Sequence, residues 1–132
     1  MSVGTNQRPE IVKGAAGSPL GKTLRFSQIS APRQVLVRLC QSVNFGQICS
    51  LEVRDSDPVF NPPPQVLVDV KLDSDEELRP EINLIDFALP AEVCRLLDRL
   101  DKLKNATIER VEVRAGIARR VVFRVRLTEA LR

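Results

Sequence analysis

Histidine, tyrosine and tryptophan are absent from the 132 residues of this chain. Without histidine, the commonest general base and the commonest metal-binding side chain are both missing. Five phenylalanines make up the whole aromatic inventory, which leaves little for stacking on nucleic-acid bases. Cysteine is scarce: Cys40, Cys49 and Cys94 are odd in number and show no Cys-x-x-Cys spacing. They read as small apolar side chains kept reduced, which points to the cytoplasm. No apolar run exceeds about four residues, far short of the ~20 needed to cross a bilayer. No apolar stretch follows a basic start at the N-terminus, so neither a membrane span nor a secretory signal is expected.

These gaps also narrow the chemistry. A nucleophile–base pair cannot be assembled without histidine unless lysine or a carboxylate takes its place. The carboxylates that cluster do so in an exposed loop, where pKa shifts are hard to produce. The sequence therefore assigns no catalytic, cofactor-binding or metal-binding residue, and the chain is expected not to be an enzyme.

What the chain does contain is a repeat. Val35–Leu39 followed by Asn44 matches Leu96–Leu100 followed by Asn105. Ile48–Arg54 matches Ile108–Arg114 sixty positions on, and Val66–Leu72 then matches Val121–Leu127 at a shorter spacing. The order of the matches predicts helix, strand, connection, strand, twice over.

The first helix is expected to begin near Ser30-Ala31-Pro32, where proline is tolerated, and to end at Asn44-Phe45-Gly46. Its apolar side is Val35, Leu36, Leu39 and Val43. The second follows Leu89-Pro90, turns Val93, Leu96, Leu97, Leu100 and Leu103 inward, and is terminated by Asn105. Thr23–Ser27 reads as a short edge strand. Alternation places Cys49, Leu51, Val53, Val66, Val68, Val70 and Leu72 on the helix-facing side of the sheet. From the second copy it adds Val111, Val113, Val121, Phe123, Val125 and Leu127. The open side receives Ser50, Glu52, Arg54, Asp69 and Lys71, then Arg110, Glu112, Arg114, Val122, Arg124 and Arg126. Ala115–Ala118 forms the second turn, with Gly116 at positive φ. The fold class is α+β: a two-layer sandwich from a duplicated α-β-β unit, with a four-stranded, mainly antiparallel sheet and two helices on one face.

Residues 1–22, rich in glycine, serine, proline and alanine, read as a flexible tail, and 23–132 as a single domain. Within it the first repeat covers about 30–72, an acidic linker 73–89 and the second repeat about 90–128. Residues 55–90 carry nine acidic against two basic side chains, and residues 91–132 eleven basic against six acidic. The net charge of +3 thus conceals an acidic middle and a basic end.

Two motifs invite a chemical reading and fail it. Ala16-Gly17-Ser18-Pro19-Leu20-Gly21-Lys22-Thr23 has the residue types of a phosphate loop, and Val66-Leu67-Val68-Asp69 those of its magnesium-holding strand. Pro19 interrupts that loop, however, and Pro32 follows too soon for the helix whose first amides would bind phosphate. Asp73–Glu77 supplies carboxylates without the spacing, central glycine or closing glutamate of a calcium loop.

Two surfaces remain. Arg110, Arg114, Arg119, Arg120, Arg124 and Arg126 gather on and around the open face of the second hairpin, where clustered arginine neutralises phosphate. Glu52, Asp69 and Glu112 share that face, which favours cross-strand ion pairs instead. Phe60, Pro62, Pro63 and Pro64 form a stiff connection that, with Leu84 and Phe87, makes a candidate docking loop. The resulting expectation is a non-enzymatic protein-interaction module that binds a protein partner or its own copy. The alternative is nucleic-acid binding through the arginine-rich face. No membrane, metal or cofactor partner is expected.

Asn44-Phe45-Gly46-Gln47-Ile48, Val53-Arg54-Asp55, Pro58-Val59-Phe60 and Pro62-Pro63-Pro64 resemble a segment of small bacterial proteins of unassigned function. The resemblance spans about twenty residues. It brings no catalytic or binding residues with it, and implies a bacterial cytoplasmic setting.

Overall fold

The computed structural model describes residues 23–125. In chain order its elements are α1 (Ala31–Val43), β1 (Phe45–Arg54), β2 (Asp57–Val59), β3 (Gln65–Val68), α2 (Ala91–Leu103), β4 (Ala106–Arg114) and β5 (Ile117–Phe123). Ser30 opens α1, its hydroxyl accepting from the Arg33 amide at 3.4 Å, and Pro32 sits in the first turn. The helices close on Asn44 and Lys104, at φ 65° and 58°. The second terminator is thus Lys104, one residue before the expected Asn105. Among the described residues no helix is long and apolar enough to cross a membrane.

β1 and β4 form the central antiparallel pair, from Phe45 opposite Arg114 to Val53 opposite Ala106. β5 flanks β4. The other flank of β1 is divided: β2 lies along Glu52–Arg54 and β3 along Gly46–Cys49. The sheet is therefore four lanes wide and antiparallel throughout, with its fourth lane broken by Phe60–Pro64. Leu36, Val37, Cys40 and Val43 of α1 pack with Val93, Leu96, Leu97 and Leu100 of α2 over Ile48, Leu51, Val53, Ile108, Val111 and Val113. This is the α+β sandwich with both helices on one face.

Several details differ from the sequence expectations. α1 buries Val37 and Cys40 and leaves Val35 half exposed, so its inward side is rotated from the one expected. Ser50 takes φ 59°, which breaks the alternation of β1. Ile48 rather than Cys49 therefore shares the core side with Leu51 and Val53. Thr23–Ser27 is not a strand: Arg25 bridges Ala88, and Phe26–Gln28 forms a single 3-10 turn. The largest correction concerns Val66, Val68, Val70 and Leu72, expected in the core and exposed here. β3 occupies the rim of the sheet, where the helix layer ends.

The repeat itself continues at one spacing further than the sequence indicated. Asp55 and Ser56 (φ 51° and 68°) turn β1 into β2, as Ala115 and Gly116 (φ 54° and 77°) turn β4 into β5. Both are two-residue turns of the kind that matches strand twist. The counterpart of β5 is thus β2, and β3 has no equivalent among the described residues of the second copy. Each turn is bonded to the helix end of the other copy. The Ser56 amide donates to the Lys104 carbonyl at 2.8 Å, and the Gly116 amide to the Asn44 carbonyl at 2.9 Å. Arg33 reinforces the first junction, donating to the Ser56 carbonyl at 2.7 Å and to Asp57 at 3.2 Å.

The segments entering the two helices also meet. The Phe26 amide donates to the Phe87 carbonyl and the Leu89 amide to the Leu24 carbonyl, both at 2.9 Å. Asp86 clamps the junction, accepting from Arg25 Nε and from the Ser27 amide at 2.8 Å each. The Arg25 hydrogen bond, then the Ser27 amide, hold its carboxyl down at about 2, against an ordinary 3.8. Because the folded value lies below the ordinary one, the clamp is fully present above about pH 4 and lost as pH falls towards 2. Thermal melts should therefore show a constant gap between the native chain and Asp86→Asn above pH 4, closing on acidification. A gap that does not narrow between pH 4 and 2 would show that the carboxylate charge is not what the clamp uses.

Candidate interaction surface

The side of the sheet turned away from the helices mixes charges of both signs. Leu67, Gln47, Glu112 and Arg120 lie in one row across four lanes, and Gln65, Cys49, Arg110 and Val122 in the next. Arg110 pairs with Glu112 at 3.2 Å and Arg54 with Glu52 at 2.7 Å. The six arginines singled out from the sequence do not form one patch. Arg110, Arg114 and Arg120 are on this face. Arg119 is an extra residue in β5 between the pairs Glu112–Arg120 and Val113–Ala118, and it turns to Glu92 of α2 at 2.7 Å. Arg124, beyond the end of β5, meets Glu109 at 2.9 Å, and Arg126 lies outside the described residues.

At the edge of the sheet, Arg119 and Arg120 also border a groove of about 220 Å³ with Glu92, Arg95 and Arg99 of α2. Those two helix arginines were not singled out from the sequence, because no strand pattern connects them to the hairpin. Only the structure lays α2 beside β5.

The candidate docking loop is divided as well. Pro62 and Pro63 are exposed, whereas Phe60 packs against the core. Leu84 is exposed, but Phe87 is buried, stacked on Phe26 at 4.9 Å between ring centres. Phe87 is therefore a core residue and is not free to dock anything. Cys40 is equally enclosed, and burial pushes its thiol up to about 12, so it carries no thiolate at neutral pH.

Among the described residues, exposed apolar side chains cluster along β3 and the chain that follows it. Leu67 and Val68 are both 55% exposed, Val70 58% and Leu72 96%. Covering a fully exposed Val or Leu side chain is worth roughly 1.5–3 kcal/mol, so leaving a row of them in water is costly. Among the described residues, the backbone of this strand is bonded on one side only. The Asp69 amide donates to the Phe45 carbonyl at 2.7 Å. Alternation then turns the amides of Gln65, Leu67 and Asp69 towards β1 and those of Val66, Val68 and Val70 outward.

The two rims of the sheet are managed differently. β5 carries Arg119, Arg120 and an irregular register, features that discourage edge pairing. Val66-Leu67-Val68 has neither a charge nor a bulge. The chain matches no protein-family model, no curated protein and no solved structure.

Proposed function

We propose that this chain is a non-enzymatic protein-interaction module that docks a strand of a protein partner along the outer edge of β3. The observation that supports it most is the pairing of outward amides with exposed Val66, Leu67 and Val68, a stretch of the rim that carries no charge. Strand addition uses those two elements together: backbone bonds give affinity, and alternate side chains give selectivity. The proposed setting is the bacterial cytoplasm, consistent with three unpaired cysteines.

A photocrosslinking residue placed at Leu72, in the cells that make the protein, tests the docking role. The expected result is a discrete protein adduct that disappears when Val68→Pro is added. That substitution removes an outward amide and leaves the bonds to β1 in place, so the melting temperature should move little. Adducts that persist with Val68→Pro, or no adduct at all, would count against docking at this edge.

A second reading, nucleic-acid binding, has its own support in the groove bordered by Arg95, Arg99, Arg119 and Arg120. It requires retention on single-stranded RNA at low salt that is lost in Arg99→Glu with Arg120→Glu. The Glu92–Arg119 pair and the mixed open face weigh against it.

A further inference from the structure

We infer that the occupant of the β3 edge is a second copy of this chain, paired antiparallel about Val70, with Asp69 of each copy facing Lys71 of the other. The inference rests on the docking role proposed above and names its partner.

The strand pattern of the sequence outruns the sheet. In the sequence Val66, Val68, Val70 and Leu72 alternate with Leu67, Asp69 and Lys71, while strand pairing stops at Val68 and the chain bends from Leu72. β1 begins at Phe45, whose carbonyl takes the Asp69 amide, so Val70–Leu72 continue past the last residue able to pair with them. Among the described residues this arm has strand periodicity and no neighbour, and a second chain lying beside it would complete it. In a twofold pair each arm lies along β3 of the other copy.

Register favours one alignment of the two copies. β3 turns the amides of Val66 and Val68 outward, and extending its alternation along the arm adds Val70 and Leu72, so in an antiparallel pair these positions face one another. Centring the pair on Asp69 or on Lys71 sets like charges opposite each other. Centring it on Val68 sets Pro64, which has no amide, opposite Leu72. Centring it on Val70 faces Val70 with itself and Val68 with Leu72. It also faces Asp69 with Lys71 twice, at the non-hydrogen-bonded sites where side chains approach most closely. Val66, Val68, Val70 and Leu72 of both copies then share one side, and Leu67 lies on the other with the Asp69–Lys71 pairs. The twofold closes on itself, leaving no free copy of the same edge for a third chain.

Sedimentation equilibrium on the full chain over a micromolar concentration series tests this. The native chain should be a dimer. Asp69→Lys alone and Lys71→Asp alone each set like charges opposite at both symmetric sites, and each should weaken the dimer roughly tenfold. The double exchange, Asp69→Lys with Lys71→Asp, should restore native affinity. All three variants are substituted at exposed positions, and unchanged melting curves would confirm that they fold. A chain that stays monomeric throughout, or a dimer that ignores the single substitutions, overturns the inference. If the native chain is monomeric while Leu72 still gives a Val68-dependent adduct to a different protein, the docking role stands and the second copy does not.

Discussion

Gly46→Ala should detach β3 from the sheet, lower the melting temperature and abolish self-association together. A Cβ at this position would lie well inside 3.0 Å of the Leu67 carbonyl oxygen, and 3.0 Å from Val43 Cγ1 on the other side. The first obstacle is backbone and the second is a core side chain, so neither can swing aside. β1 and β3 must separate where Gly46 faces Val68 and Gln47 faces Leu67. Forcing an extra carbon into such a contact costs about 1–3 kcal/mol, or roughly 5–20 °C in a domain of this size. With no tryptophan or tyrosine, circular dichroism or calorimetry is the appropriate readout. Gly116→Ala is the informative comparison. It also meets a close neighbour, at 2.8 Å, but that neighbour is the flexible Arg79 side chain. Gly116→Ala should therefore destabilise without affecting self-association. Gly46→Ala with native melting and native self-association would mean that β3 is not held by this approach.

The layered α+β arrangement was legible because the repeat carries it. Helix spacing and strand alternation occur twice in the same order, and a misreading of one copy is checked by the other. The check fails where the copies diverge. Asp57-Pro58-Val59 shares no residue with Ile117-Ala118-Arg119, although both follow equivalent two-residue turns. Val66–Leu72 and Val121–Leu127 share an alternation and were therefore equated. Backbone bonds decide otherwise: Ser56 to Lys104 and Gly116 to Asn44 put the two turns, and hence β2 and β5, in equivalent places.

The misassigned strand is also the candidate site, for the same physical reason. Alternation tells which side of a sheet a residue faces, and Val66 and Val68 do face the helix side, opposite Ile48 and Gly46. It does not tell whether anything covers that side. Coverage depends on how far the helix layer extends, which is a property of the packed molecule. The arginines show the converse: their number was visible in the sequence, but Arg119 turns to Glu92 and Arg124 to Glu109. An extra residue in each of β4 and β5 reassigns them, and nothing local in the sequence announces it. Phe87 looked available because it follows an exposed stretch, yet its ring stacks on a phenylalanine 61 positions away, as far as Asp86 is from Arg25.

That stack also positions the residue whose loss should be most damaging outside the hydrophobic core. Arg38→Ala is expected to cost about 3 kcal/mol, read as a fall of at least ~10 °C in melting temperature. The Arg38 guanidinium lies 4.4 Å from the Phe26 ring centre and 5.2 Å from that of Phe87. It donates to Gln41 Oε1 at 3.0 Å, to the Glu81 carbonyl at 2.8 Å and to the Leu84 carbonyl. One planar cation thus ties the segment around Pro80–Asn83 to α1, using carbonyl acceptors instead of a carboxylate. Bonds to a charged donor are worth roughly 1.5–3 kcal/mol each, and the ring contacts add about 0.5–2. They share a single side chain, so the total falls below their sum. Arg38→Lys should recover less than half of the loss, because an ammonium cannot lie flat on the rings while reaching several carbonyls. Amide exchange should accelerate across residues 79–86 and stay slow in β4, which separates local release from general unfolding. Self-association should survive in the folded population, since β3 makes no bond to Arg38. A loss of both together would mean that the linker, not Gly46, sets the position of β3.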